Sequence, residues 1–459
     1  MKETRYENSH FNRRHFLKGL GALGLASVLP KGLRSADLDY DAIEFDASIY
    51  ENNNPQTIVI YLYGGPSELA GNLTNIEEIS SKSQNPYPLG NDRYMKIVEK
   101  YDIWGNAGGY AMERMLDAGD LNLFRTCYRT VDNLKAHGEC TSQAQRGRDI
   151  EGGAGVIANL ASILYHKGVV TEPTGSDDVG KSIPFVTMEG ESTFFTEEDL
   201  DLNPFLKPVA FGSGSSNPYR RDGWYYENRV LNKENNSTIG NYFDAIAQRF
   251  NSDGKIREAF ERRVTLERFV NEINELTLPE GIEYPNNTFG NRLKTAMNLL
   301  IHNEHTKEVS MGSPGLGGWD DHSNAIDRYT RRMTDLMESI EVAMAHAKAA
   351  GKRNVNIVVF GEFGRNANYN NSLGWDHGNN QNVYWFGGWD YMNRLGIVGE
   401  TEVTGGGSRI YTRPKNFGRS GESYHFQVFS VAATLYRMYG IKNPERLTHG
   451  NPVIRDLLA

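Results

Sequence analysis

Cysteine is scarce in this chain of 459 residues, which has only Cys127 and Cys140. They stand thirteen positions apart and form no C-x-x-C, which gives a dithiol redox centre little support, while a disulfide between them stays open. A chain of this length buries about three quarters of its unfolded surface and needs no such staple. Positive charge is also short. There are 49 Lys and Arg against 58 Asp and Glu, a formal net charge of −9. That balance excludes a nucleic-acid or anionic-membrane binder, because no strong positive field exists to release counterions from a polyanion. Long apolar runs are missing too, and a hydrophobic fraction of 39% excludes a polytopic membrane protein. Aromatics are not missing: at 11%, with 24 Tyr, they exclude a disordered solvating chain. A large acidic globular protein remains.

The N-terminus reads as an address. Residues 12–18, NRRHFLK, followed by the apolar run GLGALGLASVLP, resemble a twin-arginine export signal. The run is too short to span a bilayer. Neither cysteine lies near it, so no lipoprotein anchor is expected. The signal is expected to cover residues 1–36, with the mature start near Asp37. The resemblance implies the twin-arginine translocase as a partner during export and a periplasmic or secreted location. Gly19, Gly21 and Gly24 fit G-x-G-x-x-G, but no strand precedes them and the match is spurious. Without Met1–Ala36, which carries seven Lys and Arg against Glu3 and Glu7, the remaining charge is −14.

Beyond the signal, residues 57–62 (TIVIYL) form a continuous β-branched and aromatic run closed by Gly64-Gly65-Pro66, which predicts a buried strand. Similar runs lie at 121–125, 183–188 and 355–360, with a short one around Val309. Apolar spacing from Asn324 to Ala350, with Gly351 beyond, predicts a long amphipathic helix. Strands alternating with helices predict an α/β fold: a mainly parallel sheet with helices on both faces and its site beyond the carboxyl ends of the strands. The region 37–459 is expected to be one domain, with the acidic, Gly/Ser- and Asn-rich stretch 171–290 as an inserted cap containing a charged helix near 255–275.

Gly175–Ser182 spells the P-loop string G-x-x-x-x-G-K-S, but a strand is expected after it rather than before it, and Asp177 and Asp178 would oppose phosphate. It reads as a surface turn. Chemistry points instead to three Gly-flanked loops: Gly317–His322 (GGWDDH), Gly361–Arg365 (GEFGR) and Gly374–Asn380 (GWDHGNN). His nitrogens and carboxylate oxygens brought to one sheet edge are ligands for a divalent metal ion such as Zn²⁺, Mn²⁺ or Ca²⁺. Ser67, on the loop after the first strand, is either a nucleophile or a helix cap. His137 with Glu139 is a lesser polar candidate, and His302 with His305 is explained equally by a solvated helix face.

Together, YLYGGPSEL, AHGECTSQAQRG, GGWDDHSN, VVFGEFGRN, GWDHGNN and the C-terminal stretch from Phe429 resemble an exported bacterial family, the domain of unknown function numbered fifteen hundred and one. It is related to the alkaline phosphatase and sulfatase superfamily. The resemblance implies an alkaline-phosphatase-like fold and metal-dependent hydrolysis of a phosphate or sulfate ester. It implies Asp320, His322, Glu362, Asp376 and His377 as metal ligands, Arg365 facing the anionic group of the substrate, and Ser67 at the nucleophile position. Formylglycine chemistry is not implied, since neither cysteine lies in C-x-P-x-R. A carboxylate expected two residues after Glu68 is replaced by Ala70. That departure motivates an alternative, a non-catalytic envelope protein binding a glycan or protein partner on a degenerate metal site.

Overall fold

The structure, a computed structural model, describes residues 39–459 except 131–135, 151, 175, 190–191, 199, 201, 211–268, 270–271 and 274. The export signal and most of the charged helix expected near 255–275 therefore lie outside the described residues. No helix among the described residues is long and apolar enough to cross a membrane.

Eight strands form the central sheet: β1 (Gln56–Leu62), β2 (Leu121–Tyr128), β3 (Phe185–Thr187), β4 (Val209–Ala210), β5 (Glu308–Met311), β6 (Val355–Gly361), β7 (Asn380–Gly387) and β8 (Ile397–Val398). Their spatial order is β8-β2-β7-β6-β1-β5-β3-β4. β7 runs antiparallel to both neighbours, and the other described pairings are parallel. The expected mainly parallel α/β sheet is present. β3 and β4 fall within 171–290, so that stretch is not wholly a cap: two of its segments extend the sheet edge. Residues 176–182 of the P-loop string form a 3-10 turn ahead of β3, the wrong order for phosphate binding.

Alternation along β1 explains the layers. Ile58, Ile60 and Leu62 enter one core, which they share with α1 (Gly109–Asp117), α4 (Thr288–His302) and α5 (Ala325–Ala349). Val59 and Tyr61 enter the other, shared with α3 (Val156–His166) and α6 (Phe429–Met438). Between them in sequence, α2 (His137–Arg146) contributes Ala144 to the second core. A strand buried on both faces has no polar side to display, which is why β1 reads as unbroken apolar sequence from Ile58 to Leu62. A hairpin, β9 (Thr401–Gly406) with β10 (Arg409–Pro414), packs outside the sheet.

A carboxylic acid also lies inside the sheet. Glu308 on β5 is fully buried, and neither carboxylate oxygen has a hydrogen-bond partner. Burial pushes its carboxyl up to about 8. Cys127 and Cys140 are both buried, and no disulfide joins them.

Candidate metal centre

Five chain segments meet at the carboxyl edge of the sheet. The turn after β1 brings Gly64 and Gly65, and the loop after β5 brings Trp319–His322. Glu362 to Arg365 follow β6, while Asp376 and His377 precede β7, whose antiparallel course places its start at this edge. The fifth is the first turn of α2, beyond the end of β2, which carries His137.

Backbone contacts fix these loops to one another. Trp319 N–H donates to the Tyr63 carbonyl (2.8 Å) and Trp375 N–H to the Asp321 carbonyl (2.8 Å). Gly64 has φ +111°, and a Cβ there would lie 2.5 Å from Asp320 N. A Cβ on Gly374 would lie 2.2 Å from the His322 carbonyl carbon. Only glycine permits such approaches. Below the loop, Arg332 of α5 makes a two-pronged pair with Asp321 (2.6 and 2.5 Å), both side chains being buried. Of the Asp320-Asp321 pair, one carboxylate therefore anchors the loop and the other faces the site.

Imidazole nitrogens gather around Asp320 Oδ1. His322 Nε2 lies at 3.0 Å, His137 Nε2 at 3.5 Å and His377 Nε2 at 3.6 Å. His322 Nε2 and His377 Nε2 are 3.2 Å apart. Donor atoms of His137, Asp320 and His377 all fall within 4.8 Å of one another. A tetrahedral ion about 2.0–2.1 Å from its donors needs them about 3.4 Å apart, so the set fits an ion of the Zn²⁺ class. Three protein ligands would leave a fourth position for water or substrate.

Two carboxylates act one step back. Glu362, 1% exposed, pairs with His137 Nδ1 at 2.6 Å and also accepts from Thr141 Oγ1 (3.2 Å) and Gly64 N–H (3.1 Å). Asp376 Oδ1 pairs with His322 Nδ1 at 3.0 Å. A carboxylate at Nδ1 holds the proton there and leaves Nε2 as the free acceptor. Phe363, fully buried, packs its ring 4.6 Å from that of His377 and 5.0 Å from that of His137.

Burial would raise the Asp320 carboxyl, but the Arg365 hydrogen bond and charge, then the His322 and His137 charges, hold it below the usual carboxylate range. Asp320 is thus ionised at neutral pH, the form a cation needs.

The structure sorts the expected residues unevenly. Asp320 and His377 belong to the donor set and His322 adjoins it, whereas Glu362 and Asp376 orient histidines. Arg365 does not face solvent: its side chain is fully buried. Its guanidinium donates to the carbonyls of Gly64, Gly65 (2.7 Å) and Trp375 (3.2 Å) and to Asp320 Oδ1 (2.5 Å). Spent on these acceptors, it is a clamp for the loops, which corrects the expectation of an anion contact. Ser67 is 4% exposed, and its Oγ caps the short turn Glu68–Ala70 by accepting from Leu69 N–H (3.3 Å). The capping alternative describes it. Ala70, where a carboxylate is expected, is buried in the core and offers no ligand atom. His137, only a lesser candidate by sequence, stands at the centre of the cluster. Its sequence signal is position: a histidine opening a helix beyond a strand end, as the loops of Asp320 and Glu362 follow theirs.

A family profile described as "Protein of unknown function (DUF1501)" matches residues 226–446. That span holds Asp320, His322, Glu362, Arg365, Asp376 and His377 but neither Ser67 nor His137. No protein of curated function matches the chain. Two solved structures overlap most of it at low superposition quality. One is Ps i-CgsB in complex with k-i-k-neocarrahexaose, at 11% identity and TM-score 0.32, covering 88% of this chain and 75% of that one. The other is a mutant of TAB5 alkaline phosphatase with Mg bound in its M3 site, at 10% identity and TM-score 0.32, covering 84% of this chain and 98% of that one.

Proposed function

We propose that this protein is a metal-dependent hydrolase of a phosphate or sulfate ester, exported to the periplasm or beyond through the twin-arginine pathway. The observation that carries the reading is the convergence of three imidazole Nε2 atoms on Asp320 Oδ1 at 3.0 to 3.6 Å. His137, Asp320 and His377 would hold the ion. A bound divalent ion of the Zn²⁺ type supplies Lewis-acid polarisation of an ester oxygen and charge for an anionic group. That charge matters, because Arg365 is already committed and the mature chain is acidic.

The remaining residues carry the proton work. His322 is half exposed, with a side-chain exposure of 46%, and adjoins the donor set. With Nδ1 held by Asp376, its Nε2 accepts a proton from an attacking water and returns it to the leaving alcohol. Asp376 stabilises the imidazolium formed in between. Glu362 keeps His137 in the tautomer whose Nε2 faces the ion, and Phe363 walls off one side of both histidines. Water is the nucleophile in this scheme, since Ser67 Oγ is buried in its cap.

Protein purified without chelator should carry close to one divalent ion per chain and hydrolyse aryl phosphates or aryl sulfates. Asp320→Ala should lose both metal and turnover. His322→Ala should keep the metal and lose most turnover, and Ser67→Ala should keep both. Metal-free protein that cannot be loaded, or full turnover in Asp320→Ala, would sink the reading.

A further inference from the structure

A second polar cluster lies in the interior, on the face of β7 opposite Val383 and Trp385. Asn380, Asn382 and Tyr384 share that face by strand alternation, and all are buried. Glu68, 1% exposed, meets them from the short turn after Ser67, and Thr412, 3% exposed, from β10. Hydrogen bonds link these five residues. Thr412 Oγ1 donates to Glu68 Oε1 (2.5 Å), and Asn380 Nδ2 donates to Thr412 Oγ1 (3.3 Å) and to the Arg125 carbonyl (2.9 Å). Asn382 Nδ2 donates to the Glu68 carbonyl (2.7 Å) and the Tyr384 hydroxyl (3.0 Å).

What is left over is of one kind. Glu68 Oε2, Asn380 Oδ1 and Asn382 Oδ1 are buried with no hydrogen-bond partner, and all three are acceptors. No Lys, Arg or His among the described residues forms an ion pair with Glu68. Native proteins rarely leave such atoms orphaned, because each forfeits roughly 1–3 kcal/mol of hydration. Protonating Glu68 would satisfy one oxygen and leave two amide carbonyls. A cation set among them would serve all three, and a carboxylate with asparagine carbonyls is the ligand type that hard cations take.

We propose that Glu68, Asn380 and Asn382 bind a hard, oxygen-seeking cation of the Ca²⁺ type in a structural site that ties the hairpin β9–β10 and the turn after β1 to β7. The site is separate from the histidine centre in both residues and chemistry: it offers oxygen alone, which suits Ca²⁺ and disfavours Zn²⁺. It does not depend on the hydrolase reading. Burial pushes the Glu68 carboxyl up to about 7, although the Thr412 hydrogen bond lowers it, so Ca²⁺ and protons compete there.

The test uses the Asp320→Ala chain, so that Ca²⁺ cannot report on the histidine centre. After EDTA and exhaustive dialysis, calorimetric titration with CaCl2 should give one site per chain and a raised thermal midpoint. Tb³⁺ should bind in its place with luminescence excited through Tyr384, and Ca²⁺ should displace it. Adding Glu68→Gln should weaken Ca²⁺ binding at least 100-fold. Should that variant fail to fold, Asn382→Leu carries the same comparison, with a loss of at least tenfold. Absence of Ca²⁺ binding in Asp320→Ala, or an affinity unchanged by both further substitutions, overturns the proposal. In that case the three oxygens are served by water.

Discussion

Replacing Glu362 with Gln isolates the part played by a buried carboxylate that touches no ion. Oε1 accepts from His137 Nδ1, Oε2 from Thr141 Oγ1, and Gly64 N–H reaches both. A glutamine fits the same volume, but its NH2 must face one of these donors. Turned toward His137, it favours the tautomer with the proton on Nε2, where the ion needs a lone pair. Loss of such an outer contact weakens metal binding about 10–100-fold, or about 1.4–2.7 kcal/mol. Stability provides the readout. At free Zn²⁺ 1,000 times the wild-type Kd, the ion adds about 4.1 kcal/mol to unfolding, and in the variant that gain falls to about 1.4–2.7 kcal/mol. Urea unfolding of metal-free protein, with and without Zn²⁺, measures the gain while cancelling any damage to the metal-free fold. Calorimetry gives Kd directly. A variant with wild-type Kd would refute the orienting role and return Glu362 to packing alone.

Other outcomes follow from single residues. Arg365→Lys should lower stability and metal affinity together, because a lysine cannot span the Gly64, Gly65 and Asp320 acceptors; an unchanged melting curve with a raised KM for an anionic ester would show instead that the guanidinium meets substrate. Gly64→Ala should cost about 1–3 kcal/mol in strain alone, read by chemical denaturation, and should abolish metal binding because the Cβ strikes Asp320 N. Glu308 carries a pH signature. Its folded carboxyl is pushed up to about 8, above the ordinary 4.5, so folded protein holds this proton more tightly than unfolded protein. The stability it contributes is complete below about pH 4.5 and is lost as pH rises through 8. Glu308→Gln should flatten the fall in urea midpoint between pH 5 and 8; an equal slope in both proteins would contradict the burial argument.

Much of the scaffold was legible in the sequence, and the reason is periodicity. β1, β6 and α5 are buried over their whole length or along one wide stripe, so their patterns are unbroken and their limits fall within a residue or two of expectation. β7 was not foreseen. Its opening Asn380-Gln381-Asn382 reads as loop, because those side chains serve buried polar contacts rather than the core. The ligand loops were legible as motifs, since Gly, Asp and His cluster where backbones must touch. Side-chain direction was not. Whether Arg365 turns to solvent or inward depends on carbonyls supplied by Gly64, Gly65 and Trp375, and no local pattern encodes that meeting. His137 stayed faint for a similar reason: its neighbours Asp320, Glu362 and His377 are each more than 180 positions away in sequence.

That separation has a mechanical meaning. His137 and His377 stand 240 positions apart, and an ion gripping both would close a loop of that length, which no disulfide between Cys127 and Cys140 could span. By the chain-entropy estimate used for disulfides, closing a loop of this length restricts the unfolded chain by about 5 kcal/mol. The ion would then be a reversible cross-link, set only after the sheet has brought β2 and β7 side by side and undone by a chelator without any redox chemistry.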